Sequence, residues 1–97
     1  MEGHEICDAI HKHRRVRFWY QGGIRTVEPY AYCVADGGHP ILRAYQVSGY
    51  SHSREHGWKL FRVDEIKEFT TLEETFEGPQ EGYMRNDPMM TKIYCEL

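Results

Sequence analysis

Val16-Arg17-Phe18-Trp19-Tyr20-Gln21-Gly22-Gly23-Ile24-Arg25-Thr26-Val27-Glu28-Pro29-Tyr30 decides the fold. Val16, Phe18 and Tyr20 alternate with Arg17, Trp19 and Gln21. Successive side chains of a strand point to opposite faces, so this period of two predicts a strand over 16–21 with one buried face. Gly22-Gly23 supplies a turn, because glycine tolerates the positive φ of tight hairpins. A second strand is expected over 24–34. Pro29 lies inside it and cannot donate to a ladder, which predicts an edge or a bulge at that point. The face opposite Val16, Phe18 and Tyr20 carries Arg17 beside Trp19, and what that face serves is the functional question.

Around this hairpin the pattern continues. Residues 4–14 carry Ile6, Cys7, Ile10 and His13 at three- and four-residue spacing, an amphipathic helix that needs packing to persist. Asp36-Gly37-Gly38 marks a second turn. Further strands are expected over 40–47, 58–63 and 67–72, with a polar hairpin loop over 48–57 and a single turn at Asp64-Glu65-Ile66. One helix and five short strands predict a mainly β domain, a small strongly bent sheet or barrel. After Phe76 the periodicity fades. The domain is therefore expected over 1–76, followed by an irregular extension over 77–97 whose final TKIYCEL forms a short strand or helix.

The 97 residues suffice for one domain, and seven Tyr, four Phe and two Trp argue against disorder. No apolar run reaches the roughly 18 residues that span a membrane. The N-terminal Met1-Glu2-Gly3-His4-Glu5 lacks an apolar signal region, so a cytoplasmic location is expected. Cys7, Cys33 and Cys95 are odd in number and widely spaced, which favours free thiols over a disulfide framework. The net charge of −3 is unevenly spread. Residues 1–62 carry nine Lys and Arg against six Asp and Glu, whereas 63–97 carry three against nine. A local basic face is what an anionic ligand senses, so the acidic total does not exclude one.

Ala9-Ile10, Val16/Phe18/Tyr20, Gly22-Gly23, Arg25/Val27/Pro29/Tyr30, Leu42/Ala44/Tyr45 and Phe61-Arg62-Val63-Asp64-Glu65-Ile66 follow one another over about residues 6–76. In that order and spacing they resemble a WYL domain. The Trp-Tyr-Leu that names the family is Pro40-Ile41-Leu42 here. The resemblance implies an Sm-like or SH3-like barrel that senses an anionic, nucleotide-like ligand, either single-stranded DNA or RNA or a nucleotide. It also implies a bacterial or archaeal setting and a link to transcriptional control. One helix before the first strand is too little for a helix-turn-helix reader, so a stand-alone module is expected, with a partner transcription regulator as the other route to that control.

The resemblance singles out Arg25, Tyr30 and Arg62 as ligand-binding residues. Strand alternation adds Arg17, Trp19, Arg43 and Tyr45 if the outward faces converge. Guanidinium groups grip phosphate bidentately, and aromatic faces stack on bases whatever the sequence. The bland alternative is that these arginines pair with Glu28, Glu55 and Glu65 and the rings fill the core. His4, Cys7 and His11 share a helix face, and His52 and His56 form a His-x3-His pair, but zinc wants four such ligands and no pair of close cysteines is present. No cofactor or metal is expected. Phosphate-loop and nucleophile-elbow patterns are absent, and Cys33 with His39 makes a poor nucleophile pair, so no enzyme is expected. The alternative function is a protein-interaction or dimerisation module, a homodimer among its forms, that uses open strand edges and the C-terminal extension.

Overall fold

A computed structural model describes residues 3–35, 37–51, 56–88 and 90–97. Helix α1 spans Gly3–His11, followed by β1 Arg14–Tyr20, β2 Gly23–Ala35, β3 Pro40–Gly49 and β4 Gly57–Arg62. A 3-10 turn at Val63–Glu65 leads into β5 Lys67–Thr75, and β6 Met90–Glu96 ends the chain. All pairings are antiparallel, in the order β4-β3-β2-β1-β5. The five strands expected are joined by a sixth: β6 pairs with β2. Among the described residues β4 and β5 do not pair, so the sheet is bent but not closed into the expected barrel.

β2 organises the rest. Its thirteen residues pair with β3 along one edge. The other edge is shared, with β1 on residues 23–27 and β6 on 31–35. Pro29, which has no N–H to donate, falls between these two partners. A register shift between Pro29 and Ala31 leaves Tyr30 as the extra residue of a bulge. The hairpin turn is displaced by one residue from the glycine pair. Gln21 and Gly22 take the positive φ values, 38° and 102°, and Gly23 is paired with Tyr20. Gly23 is needed for another reason: a Cβ there would lie 2.5 Å from Cβ of Tyr50, which packs on the turn.

The inner face of the sheet and the apolar stripe of α1 form the core. Ile6, Ala9 and Ile10 pack with Val16, Phe18, Val27, Leu42, Ala44 and Phe61, all at most 1% exposed. Phe18 and Phe61 meet edge to face at 5.0 Å, a favoured arrangement of ring quadrupoles. The expectation of three free cysteines is corrected. Cys7 of α1 and Cys95 of β6 form a disulfide across a separation of 88 residues, because β6 pairs with β2 directly beneath the helix. Only Cys33 is free, and it is buried.

Candidate ligand-binding face

Alternation along β1 to β4 sends one set of side chains away from the α1 core, and five of the seven sequence-predicted residues are on that outer face by register. β1 contributes Arg17 and Trp19. β3 contributes Arg43 and Tyr45, paired with Leu60 and Trp58 of β4. Arg62 lies two residues beyond Leu60. Tyr30, the bulge residue, also stands apart from the α1 core.

Arg25 does not join them. It is paired with Phe18 and faces inward with it. Only 4% exposed, it donates from Nε to the Tyr20 carbonyl at 3.2 Å and from Nη2 to the Gln21 carbonyl at 3.4 Å. Its guanidinium lies over the rings of Tyr20, Tyr50 and Phe61 at 5.2–5.6 Å. Burial lowers its pKa from the ordinary arginine value, partly offset by the facing tyrosines. Arg25 is thus buried at the turn end of β2; the buried Gln46 donates from Nε2 to the carbonyls of Ser48 and Tyr50, whose ring lies under the Arg25 guanidinium.

The outer face has an open part and a covered part. In the open part, register sets Lys67 of β5, Trp19 of β1 and Ile24 of β2 side by side, with Thr70, Arg17 and Thr26 in the next outward row. The Lys67 ammonium lies 5.0 Å from the Trp19 ring centroid. Arg17 is exposed and holds no partner among the described residues. Lys67 was missed by sequence reasoning because a lone lysine at a strand start carries no pattern; only the register reveals it above an indole. Arg62, 44% exposed, is already neutralised: Asp64 accepts from Nη2 at 2.9 Å and Glu65 from Nε at 3.4 Å. The Asp64 hydrogen bond holds its pKa above the ordinary arginine value.

A buried carboxylate separates the two parts. Glu28, 2% exposed, accepts from Arg15 Nη2 at 3.1 Å, from the Tyr30 hydroxyl at 3.0 Å and from Gln80 Nε2 at 3.2 Å. Beyond it the segment 77–88 lies over an aromatic group. Tyr30 packs against Trp58, Phe76 and Tyr83 at 5.0–5.3 Å, and Tyr45 meets Trp58 edge-on at 5.5 Å. The Trp58 indole N–H donates to the Glu81 carbonyl at 2.7 Å, and Arg43 pairs with Asp87 at 2.7 Å. Burial raises the pKa of both Tyr30 and Tyr83.

The remaining sequence candidates are placed as follows. Cys7 is bound in the disulfide, His52 lies outside the described residues, and His56 contacts the Gly49 carbonyl. Among the described residues no three His, Cys, Asp or Glu side chains gather to hold a metal. Cys33 donates to the Ile41 carbonyl, and burial raises its pKa, which disfavours the thiolate a nucleophile needs. No helix among the described residues is long and apolar enough to cross a membrane.

A family model described as WYL domain matches residues 4–71, from α1 into β5, and ends before the 77–88 segment begins. No match is found among curated proteins or solved structures.

Proposed function

The chain belongs to the WYL domain family, one of regulatory ligand-sensing domains found in transcription regulators, and from that premise we propose that it senses a nucleotide-like anion. The ligand is a short single strand or a nucleotide, met first by the open part of the outer face. The observation that carries this is the Lys67 ammonium over Trp19 with an exposed Arg17, unpartnered among the described residues, one row away. Two cations beside a half-buried indole supply phosphate contact and base stacking together. Arg62 and Arg43 are held by carboxylates, so a ligand reaches them only by displacing Asp64 and Glu65 or Asp87. No catalytic step is assigned to the protein.

Fluorescence anisotropy with a labelled oligothymidylate tests the reading. Two contacted phosphates predict a log–log salt slope of about −1.4, at about −0.7 each. Arg17→Glu with Lys67→Glu should abolish that slope and most of the affinity while leaving the fold intact. Binding of the double variant at wild-type strength would overturn the assignment. The alternative of a pairing module draws on Leu60, 56% exposed on edge strand β4, and Met84, 54% exposed beside it. Sedimentation that shows a dimer lost on Leu60→Lys would favour it.

A further inference from the structure

Resting on that reading, we infer that residues 77–88 are an internal stand-in for the ligand, seated on a second site that takes a flat aromatic ring joined to an anionic group. The segment presents those two elements. The Tyr83 ring stacks on Trp58 with 16° between planes at 6.1 Å and lies 5.1 Å from Tyr30. Asp87 places a carboxylate on the Arg43 guanidinium. An aromatic wall with a guanidinium beside it is what a base and its phosphate would meet. The segment is itself acidic, with Glu77, Glu81 and Asp87 against Arg85.

Besides the contacts to Arg43, Trp58 and Tyr30, Tyr83 donates to the Leu97 carbonyl and Arg85 and Asn86 bond to Glu96, so the segment is fastened by side-chain and single backbone contacts rather than by a strand ladder. Of the twelve residues, nine are exposed, and only Gln80, Tyr83 and Asp87 are drawn in. The Phe76 N–H is bound to the His13 carbonyl on one side. On the other, β6 is paired with β2 and joined to α1 by the Cys7–Cys95 disulfide. Residues 77–88 can therefore lift without unpairing a strand. A cleft of about 360 Å³ already opens between the segment and the sheet, with Arg43, Trp58, Lys59 and Leu60 on the sheet side and Gly82, Met84 and Asp87 on the segment side. A ligand entering there competes with Asp87 for Arg43 and with Tyr83 for Trp58. The strap follows the residues that the family model matches, so it closes the family's sheet from outside them.

Calorimetric titration of the whole chain with thymidine monophosphate and with a short oligothymidylate tests this. Tyr83→Ala with Asp87→Asn should bind at least about tenfold tighter than the unaltered protein, because the competing segment no longer holds the bound-state groups. Adding Arg43→Gln should erase the gain. A gain for the mononucleotide alone identifies a free nucleotide as the ligand, and one shared by the oligothymidylate a nucleotide within a strand; either supports the inference. In the unaltered protein, saturating thymidine monophosphate should speed amide exchange at Gln80 and Tyr83, whose N–H groups are now bound to the Tyr30 hydroxyl and the Gln80 carbonyl. If the unaltered protein binds and those amides do not speed up, or if the folded double variant binds no tighter, the strap is not a stand-in, and the open-face reading survives. If neither protein binds either probe, both fall together.

Discussion

Arg25 shows why a motif arginine on a strand need not face outward. Its position in the Arg25/Val27/Pro29/Tyr30 run was legible, but its facing was not. In the period-two pattern Arg25 shares a face with Val27, and a charge there looks like a break in the core face. The structure resolves this with two carbonyl acceptors and three rings around one guanidinium. Arg25→Ala should cost about 2–3 kcal/mol by urea unfolding, since buried hydrogen bonds from a charged donor are lost together with their ring contacts. Arg17→Ala should change stability by no more than about 0.5 kcal/mol. Equal effects of the two would contradict the inward placement. Tyr30 carries a second prediction. Burial raises its pKa above the ordinary value, so the folded chain keeps a proton that the unfolded chain releases. Its contribution to stability is full below about pH 10 and is lost as pH rises beyond it. Urea midpoints should fall across that alkaline window, and Tyr30→Phe should flatten the fall.

The elements near the hairpin were readable because each has a strong local period. β1, β3 and β4 start and stop within two residues of the alternation in their sequences, and the Pro29 irregularity was predicted from the missing N–H alone. β6 was harder, since TKIYCEL is short and its partner lies some sixty residues away on β2. The disulfide was hidden for the same reason. Cysteine spacing along the chain carries no information about α1 and β6 meeting over one edge of β2 until that pairing is known. Once formed, the bridge closes a long loop, and such a loop restricts the unfolded chain most. Cys7→Ser with Cys95→Ser should therefore lower stability by about 2–5 kcal/mol. Reduction of the unaltered protein should lower the thermal midpoint to match. Cys33→Ala should leave the effect of reductant unchanged. A midpoint insensitive to reductant would mean that the bridge does not form in solution.

At the scale of the whole molecule, charge sets a conflict that ionic strength should reveal. The chain carries −3 overall, yet its open face presents Arg17 and Lys67. The molecule measures 29 × 28 × 26 Å. At about 0.01 M salt the screening length is about 30 Å, so an approaching anion senses the whole charge and is repelled. At about 0.15 M the length is about 8 Å, and the ligand senses only the face it touches. Association with a nucleotide should therefore be slower at the lowest salt than a basic site alone would give, and its rate should pass through a maximum as salt rises. Glu77→Gln with Glu81→Gln removes two exposed negative charges and takes the net charge from −3 to −1. Stopped-flow measurements should show faster association for this variant at low salt and no difference near about 0.15 M. A difference that persists at high salt would instead mean that the two carboxylates act by contact, as part of the strap's hold on the covered site. A rate that falls monotonically with salt in both proteins would mean that the local basic face outweighs the acidic remainder at every distance.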